Sequence, residues 1–578
     1  MKKLVSRFMA VLMAMTMILS MSMTAFAADA ADAPKGTLTV NNTVAGKTLD
    51  LYQIFTATKN GDNVAYTLNS AYEGFFQSKI SDASTLTGEA LSEKAYAYVK
   101  DQVGTDGSNG AAFAKDIMGW ILGNTTTVEA THTTATTGAD TTVISGLAYG
   151  YYVVYPLGAT DTSTAPGNET VKSVASLVSV TGDDATVNMK SNYPTVDKKI
   201  IPAQSGSGIT VGAIVDASWD GSHQMELDDE NNPEDTIAPH SESDEKKAGD
   251  FGIGDTVTYQ LTSKVPDMTG YNSYTFKFSD TLSKGLDLKE VLSVKVGNTT
   301  LTAKKSGTNT YALAYDQAKR TLTVTLNDFY TSYKNRTGET ITVVYTATLN
   351  KDAVIGMNPN TNKAVVEYSN DPTTGGTGTS EPSIVDVHTF DFTIFKYYLK
   401  NETKTALANA EFELYKANGE VAGAKVNIKK VEEGKYRVAT PEEIATEGFK
   451  SDVIVSGTNG KVLVKGLDAG TYYLRETKAP EGYNKLLSDI TVEIKANYDP
   501  KTGKLTSYSV DYTYNGKTTN GAAITNKTDS PEVAVENKTG AQLPSTGSKG
   551  ALMVTLAGIV LFGALTASKA FGKKKAKN

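Results

Sequence analysis

Much of the chain alternates apolar and polar residues at every second position, in short runs that end at glycine, asparagine, aspartate or proline. Residues 255–261 and 321–326 are typical runs, and both contain threonine, valine and leucine. Such runs predict a mainly β protein built from tandem immunoglobulin-like β-sandwiches. Helical periodicity is clear only in residues 90–103 and 111–122, so we expect short helical insertions in the first domain.

Polar and proline-containing stretches interrupt this pattern and indicate domain boundaries. The stretches are residues 191–194 and 371–382. They predict an N-terminal domain at 28–192, a second domain at 193–385 and a C-terminal domain at 386–541. We interpret the acidic residues 226–250 as a solvated insertion in the second domain, with calcium binding as the alternative.

An internal repeat links the first domain to the last. Residues 146–154 (GLAYGYYVV) match residues 466–474 (GLDAGTYYL). The match predicts that both domains share one sandwich plan, in which a glycine-turned hairpin leads into an aromatic strand.

Several polar residues share the apolar face of a predicted strand. They form two sets of a lysine, a carboxyl and an asparagine: Lys198, Asp280 and Asn362 in the second domain, and Lys396, Glu476 and Asn537 in the last. Asn526 is an alternative to Asn537. An isolated charge in an apolar core is costly, so the members of each set are expected to converge.

Each set has the chemistry to form a covalent cross-link. Burial lowers the pKa of a lysine and raises that of a carboxyl, so a neutral amine and a protonated acid can coexist. The amine can then attack the asparagine amide while the acid shuttles protons, which releases ammonia and leaves a Lys–Asn isopeptide bond across the sandwich. The alternatives are a buried salt bridge with an amide partner, or strand-end residues that reach water.

Composition excludes several other functions. The chain has no cysteine, a net charge of -8 and four scattered histidines without metal-ligand spacing. It has no glycine-rich phosphate loop and no nucleophile elbow. We therefore expect no cofactor, no metal site, no nucleic-acid partner and no catalysis on external substrates.

Both ends of the chain indicate export. Residues 1–27 combine lysines, an apolar stretch and an Ala-x-Ala site, which predicts a secretory signal peptide. Residues 542–578 contain a pentapeptide, an apolar run that is near the lower length limit for a membrane span, and a lysine-rich tail. The pentapeptide is Leu543, Pro544, Ser545, Thr546 and Gly547. This layout resembles the LPxTG sorting signal of cell-wall-anchored proteins of Gram-positive bacteria, which a sortase cuts between threonine and glycine; a plain membrane anchor is the alternative.

The interior of the chain resembles the major, or shaft, pilins of sortase-assembled Gram-positive pili. Residues 473–483 (YLRETKAPEGY) look like the E-box of collagen-adhesin B-type domains, and residues 253–259 with 280–286 look like an isopeptide-forming fimbrial domain. The resemblance implies a structural pilus subunit with the two isopeptide sets above, in which Asp280 and Glu476 act as proton shuttles. It also implies a cell-wall location and, as partners, a pilus-class and a housekeeping sortase, further copies of the chain, minor pilins and peptidoglycan.

Two features depart from this family. Shaft pilins are joined through a lysine in a Tyr-Pro-Lys motif, whereas residues 193–195 here read Tyr-Pro-Thr, so we expect Lys190, or else Lys199, to serve. The first domain has Pro156 where the repeat would place Glu476, and no isopeptide bond is expected there. A wall-anchored adhesin or a minor pilin on the same scaffold is the alternative function.

Overall fold

The computed structural model describes residues 34–104, 110–124, 127–136, 140–160, 174–189, 193–204, 206–215, 247–372 and 375–539. These residues are mainly β, and the predicted fold class is confirmed. The predicted signal peptide, the sorting signal and most of the acidic stretch lie outside the described residues. Within these ranges, no helix is long and apolar enough to cross a membrane.

The first region, residues 34–189, contains eight strands and three helices among its described residues. The strands are β1 (Lys35–Asn41), β2 (Thr48–Asn60), β3 (Asn63–Leu68), β4 (His132–Ala135), β5 (Thr141–Ala148), β6 (Gly150–Pro156), β7 (Ser176–Val180) and β8 (Ala185–Asn188). The helices are α1 (Glu73–Lys79), α2 (Gly88–Val103) and α3 (Gly110–Gly123). One sheet has the order β5-β1-β8; the other has the order β3-β2-β6-β7, with β4 against β2.

The middle region, residues 193–388, contains two larger sheets. Its elements are β9 (Asp197–Ile201), β10 (Ile209–Thr210), α4 (Val211–Val215), β11 (Ala248–Asp250), β12 (Thr256–Lys264), β13 (Phe276–Leu282), β14 (Leu286–Val296), β15 (Thr299–Thr300), β16 (Thr302–Ala303), β17 (Thr310–Asp316), β18 (Thr321–Leu326), α5 (Phe329–Tyr333), β19 (Thr340–Leu349), β20 (Asn360–Ser369), β21 (Thr377–Thr379) and β22 (Ser383–His388). The sheet orders are β10-β14-β19-β12-β9 and β11-β22-β20-β13-β18-β17-β16. Strands β15 and β21 pair with β14 and β20.

The last region, residues 390–539, again has two sheets. Its elements are β23 (Phe390–Lys400), β24 (Thr403–Ala406), β25 (Glu411–Asn418), β26 (Val421–Lys425), β27 (Ile428–Glu432), β28 (Lys435–Val438), α6 (Pro441–Ile444), β29 (Ile454–Val455), β30 (Lys461–Leu467), β31 (Gly470–Lys478), β32 (Ile490–Tyr498), β33 (Leu505–Tyr514), β34 (Lys517–Thr519) and β35 (Glu532–Glu536). The orders are β24-β23-β30-β28-β27 and β26-β25-β31-β32-β33-β34. Strands β35 and β29 pair with β23 and β25.

The two helices predicted from periodicity are confirmed as α2 and α3. Their apolar faces cover one side of the β3-β2-β6-β7 sheet, where Phe75 and Phe113 lie in the same core. Helix α2 ends at Val103 and is capped by Gly104, whose φ of 73° suits glycine because it has no side chain to clash with the preceding turn. The first region thus places its helices on one sheet and its smaller sheet on the other face.

The predicted hairpin in the internal repeat is wrong, although the shared plan is present. Strand β5 pairs with β1 and β6 pairs with β2, so the glycine turn between them passes from one sheet to the other. Strands β30 and β31 are separated in the same way. In both regions a tyrosine donates to the carbonyl oxygen four residues earlier: Tyr152 to Ala148 at 2.7 Å and Tyr472 to Asp468 at 3.1 Å. The turn therefore connects the two layers and is tied by the aromatic strand that follows.

The first and last regions also share the pairing of their terminal strands. Strand β1 pairs in parallel with β8, and β23 pairs in parallel with β35. Each region therefore begins and ends on neighbouring strands of the same sheet. This arrangement places the first strand of the last region beside the residues that immediately follow β35.

Candidate functional site

The middle-region set converges in the core between the two sheets. Lys198 lies on β9 in one sheet, whereas Asp280 and Asn362 lie on the adjacent strands β13 and β20 of the other. Their exposed fractions are 0%, 1% and 0%. Strand alternation explains this burial, because Asp280 follows Phe276 and Phe278 on the inward face. The lysine thus faces the acid and the amide across the sandwich.

The contacts in this middle cluster centre on Lys198. Its Nζ forms an ion pair with Asp280 Oδ2 and donates a hydrogen bond to the Tyr345 hydroxyl at 2.6 Å. Asn362 Nδ2 donates to the same hydroxyl, also at 2.6 Å. Tyr345 lies on β19, two strands from β9 in the same sheet. One phenolic oxygen therefore joins the lysine to the asparagine.

Burial increases the fraction of the Lys198 amine that is neutral at a given pH. Burial lowers the pKa of Lys198 to about 8, against the opposing effect of Asp280. Nζ of Lys198 lies 4.8 Å from the ring centroid of Tyr259 and 5.1 Å from that of Tyr345, and the two rings are stacked. At neutral pH an appreciable minority of the amine is thus free of its proton and able to act as a nucleophile.

The last-region set converges with a different arrangement. Lys396 lies on β23, and Asn537 immediately follows β35, which is paired with β23 in the same sheet. Glu476 lies on β31 in the opposite sheet. The exposed fractions of the three residues are 0%, 1% and 1%. A bond between Lys396 and Asn537 would therefore tie neighbouring strands rather than span the sandwich, contrary to the prediction for this region.

Both carboxyl oxygens of Glu476 contact other residues of this last cluster. Oε1 lies 3.1 Å from Lys396 Nζ, and Oε2 accepts from Asn537 Nδ2 at 3.0 Å. Oε2 also accepts the backbone N–H of Leu486 at 2.8 Å, and Asn537 Nδ2 donates to the carbonyl of Asn484 at 2.8 Å. One carboxyl group therefore bridges the amine and amide nitrogens directly.

The pKa of Lys396 is shifted in the same direction as that of Lys198. Burial lowers the pKa of Lys396 to about 8, with Glu476 opposing the shift. The ring of Phe412, 5.8 Å from Nζ, closes one side of the cluster. The amine of Lys396 thus lies between an aromatic ring and a carboxyl group.

The asparagine carbonyl oxygens are notable because both are buried and unsatisfied. Within the described residues, Oδ1 of Asn362 and Oδ1 of Asn537 have no hydrogen-bond partner. Buried acceptors of this kind usually find a donor, and an unpaired one costs about 1–3 kcal/mol. A donor placed beside either oxygen would polarise the carbonyl group that a lysine attacks.

The other predicted site residues lie away from these clusters. Asn526 is in an exposed turn, where its Nδ2 donates to Asp529 at 2.7 Å. Lys199 points away from the core and lies 3.4 Å from Asp197. Lys190 and the pentapeptide from Leu543 to Gly547 lie outside the described residues.

The first region lacks a corresponding cluster. Asn42 takes the position of Lys396, since each donates its backbone N–H to the residue just before β5 or β30. Pro156 lies on β6 at the position that Glu476 takes on β31. Neither residue can provide the amine or the acid of this chemistry. Across the described ranges, no group of three or more His, Cys, Asp or Glu side chains is arranged to hold a metal ion.

The sequence analysis missed Tyr345. It is fully buried on β19, next to Val344 and paired with Tyr259. An inward aromatic residue on a central strand normally indicates core packing, so its position gave no separate signal. Its contacts with two predicted site residues are visible only in the structure.

Two family models match the parts of the chain that carry these clusters. Residues 253–372 match the Gram-positive pilin backbone subunit 2, Cna-B-like domain, and residues 396–508 match the SpaA prealbumin-like fold domain. The resemblance to backbone pilins is thereby confirmed for these two ranges.

Individual relatives include surface and pilus proteins of streptococci. The trypsin-resistant surface T6 protein of Streptococcus pyogenes serotype M6 is 25% identical over an alignment of 292 residues, with 45% of each chain covered. The chain thus spans about half the length of this curated relative. The structure of the T6 backbone pilin of Streptococcus pyogenes covers 88% of this chain and 99% of its own, with 17% identity and a TM-score of 0.44. The group B streptococcus pilus 2b backbone protein covers 51% and 97%, with 25% identity and a TM-score of 0.36.

Proposed function

We propose that this chain, which carries two domains of Gram-positive backbone-pilin families, is the repeating structural subunit of a covalently assembled cell-surface pilus. We place its domain boundaries near residue 193 and after β22, which pairs within the middle region as far as His388, beyond the predicted boundary at residue 385. The observation that carries the proposal is the pair of buried lysine–acid–asparagine clusters. In a chain without cysteine, such clusters provide a means of covalent cross-linking within each domain.

Each cluster forms one intramolecular isopeptide bond in this proposal. The neutral amine of Lys198 or Lys396 attacks the amide carbon of Asn362 or Asn537. Asp280 or Glu476 donates a proton to the carbonyl oxygen and recovers it when ammonia leaves. The lowered lysine pKa values, the burial and the unpaired carbonyl oxygens support this chemistry. The contacts of Asn537 with Glu476 favour it over Asn526 as the acceptor.

The mass of the mature protein tests the cross-links. The protein secreted without residues 1–27 and ending before the sorting signal should weigh about 34 Da less than its sequence, because two ammonia molecules are lost. The Lys198→Ala, Lys396→Ala double variant should show no loss. A wild-type mass equal to the sequence value would disprove both bonds. A single ammonia loss would mean that only one cluster forms its bond, and peptide mapping would show which one.

Assembly between subunits is the second part of the proposal. A pilus-class sortase cleaves after Thr546 and transfers its carbonyl to an amine of Lys190 on the next copy, and a housekeeping sortase joins the finished polymer, with its minor pilins, to peptidoglycan. Head-to-tail joining of this kind repeats without closing and produces a fibre. Apart from its own cross-linking, the chain would need no catalytic activity and no cofactor.

An immunoblot of cell-wall extracts tests assembly. A shaft subunit gives a ladder that resists SDS, and Lys190→Ala should reduce it to a wall-anchored monomer, whereas Lys199→Ala should leave it intact. A single band from the wild-type protein would favour an adhesin or a minor pilin instead. A ladder that persists in Lys190→Ala but disappears in Lys199→Ala would identify Lys199 as the acceptor.

A further inference from the structure

The two clusters bridge their reacting nitrogens with different groups. In the last region, Glu476 contacts both Lys396 Nζ and Asn537 Nδ2. In the middle region, the shorter Asp280 pairs with Lys198, while the Tyr345 hydroxyl contacts both Lys198 Nζ and Asn362 Nδ2. One carboxyl group therefore contacts both nitrogens in the last region, whereas in the middle region a carboxyl group contacts the lysine nitrogen and a phenol contacts both nitrogens.

We infer that Tyr345 is a catalytic residue of the middle-region cross-link and relays a proton from the attacking nitrogen to the leaving nitrogen. This inference rests on the proposed isopeptide chemistry and adds a residue to it. The phenolic oxygen is 2.6 Å from each of the two nitrogens, which is direct hydrogen-bonding distance. Its ring is held by stacking on Tyr259, with centroids 5.2 Å apart.

The relay balances in atoms and protons. The Lys198 lone pair forms a bond to the side-chain carbon of Asn362, and Asp280 protonates the carbonyl oxygen. The attacking nitrogen then carries one proton too many, and the amide nitrogen needs one in order to leave. Tyr345 gives its hydroxyl proton to Nδ2 as it accepts one from Nζ. The C–Nδ2 bond breaks, ammonia departs, and Asp280 recovers its proton, so Tyr345 and Asp280 both end unchanged.

The environment of Tyr345 suits simultaneous transfer rather than a free phenolate. Its side chain is fully buried in the core, between the lysine and the asparagine. Burial holds the pKa of Tyr345 well above its ordinary value. A phenol that keeps its proton can donate to one nitrogen only while it accepts from the other.

The test is the rate of ammonia loss in Tyr345→Phe. The ectodomain is taken from inclusion bodies dissolved in denaturant, and only material whose mass shows no ammonia loss is used. It is then refolded by dilution, samples are quenched over time, and peptide mass spectrometry follows each bond separately. The middle-region bond should form about 10²–10⁴-fold more slowly, the range for loss of a general acid–base group. The last-region bond in the same molecules should form at the wild-type rate, because its cluster does not use a tyrosine: the ring beside Lys396 is Phe412, which has no hydroxyl.

Two controls separate catalysis from folding. Tyr333→Phe removes another buried hydroxyl of the same core, which has no hydrogen-bond partner among the described residues, and should leave both rates unchanged. Asp280→Ala, which we expect to block the reaction, provides an unreacted background in which adding Tyr345→Phe should lower the melting temperature of the middle region only by the few degrees expected for two lost hydrogen bonds. Loss of the cooperative unfolding transition in that background would instead assign Tyr345 a structural role.

The outcomes distinguish this inference from the proposal on which it rests. A wild-type rate for the middle bond in Tyr345→Phe would disprove the relay and leave the isopeptide bond in place. The absence of any ammonia loss in the wild-type middle region would disprove the bond itself. A slowed bond, with cooperative unfolding retained in the Asp280→Ala background, would support the relay.

Discussion

The middle and last regions bring together the same three residue types but connect them differently. In the middle region the lysine belongs to one sheet and the asparagine to the other, so a bond between them would join the two layers. In the last region the lysine and asparagine belong to paired strands, and only the acid comes from the opposite sheet. A shared chemical requirement therefore does not determine where the cross-link is placed in the fold.

The difference extends to the acid. Glu476 contacts both nitrogens of its cluster. Asp280 has a side chain one methylene shorter and contacts Lys198, which also donates a hydrogen bond to Tyr345. The common features are burial of the amine and a polar group that contacts each nitrogen. These are the features that a cross-linking site of this kind must retain, and the predictions below vary them one at a time.

The largest expected effect follows removal of either acid. Asp280→Ala should abolish the middle bond alone, and Glu476→Ala should abolish the last bond alone. The affected region should lose about 4–5 kcal/mol of unfolding free energy, since each bond closes a loop of well over a hundred residues and restricts the unfolded chain as a disulfide does. Intact mass and thermal unfolding measure the two effects.

A surface carboxyl provides the control for this experiment. Glu413 forms an ion pair of 2.8 Å with Lys425 on the neighbouring strand and lies outside the last cluster. Glu413→Ala should cost at most about 1 kcal/mol and retain both ammonia losses. If Asp280→Ala or Glu476→Ala also retained both losses, the acid of that region would be wrongly assigned.

The second effect tests the reach of the acid. Glu476→Asp shortens the side chain by one methylene, so its carboxyl can no longer contact both Lys396 and Asn537 in the present positions. No hydroxyl replaces the lost contact, because the neighbouring ring is Phe412. The last-region bond should form about 10²-fold more slowly, as expected for a misplacement of about 1 Å. An unchanged rate in the refolding assay would contradict this account of the two clusters.

The third effect is the dependence on pH, which should be the same in both regions. The pKa of each lysine, Lys198 and Lys396, is lowered by burial to about 8. Below that pH the neutral amine, and with it the rate of bond formation, should fall about tenfold for each pH unit. The refolding assay between about pH 6 and pH 8 measures both rates, and a flat profile would show that the amine is not the titrating nucleophile.

The same pKa values determine how the unbonded fold responds to pH. Between a folded pKa of about 8 and the ordinary value of 10.5, the unfolded chain binds more protons than the folded chain. The stability of an unbonded variant that keeps both acids should therefore rise with pH across this window. Asn362→Ala with Asn537→Ala blocks both bonds and retains Asp280 and Glu476, which oppose the lowering of the lysine pKa values. Adding Lys198→Ala and Lys396→Ala should remove the effect.

The smallest effect concerns a hydrogen bond that the first and last regions share. Tyr152→Phe should cost about 1 kcal/mol, because one hydroxyl-to-carbonyl bond is lost. Tyr472→Phe should cost about 2 kcal/mol, because its hydroxyl also contacts the carboxylate of Asp468. Thermal unfolding should resolve both changes, and equal losses would show that the extra contact contributes little.

Strand alternation was sufficient to predict which residues of each cluster point inward. It placed Lys198, Asp280 and Asn362 on apolar faces, and their exposed fractions of 0–1% agree. The two helices of the first region were likewise visible as a 3.6-residue period. These features depend on local periodicity, which the sequence displays directly.

The features that the sequence did not predict depend on pairing between distant strands. A glycine turn followed by an aromatic run is the same whether the flanking strands pair with each other or belong to opposite sheets, so the internal repeat was misinterpreted as a hairpin. The placement of Lys396 and Asn537 within one sheet depends on the parallel pairing of β23 with β35. Tyr345 was missed for a similar reason, since an inward tyrosine becomes a candidate only when its neighbours in space are known.

The parallel pairing of the terminal strands has a mechanical consequence. Tension applied along the chain enters the last region at the start of β23 and leaves it after β35, at opposite ends of two neighbouring parallel strands. Such a pull slides the strands past each other and loads their hydrogen bonds together, instead of opening them one after another. A covalent tie between Lys396 and Asn537 would carry the load from the first strand directly to the last, so the remainder of the region would bear little force.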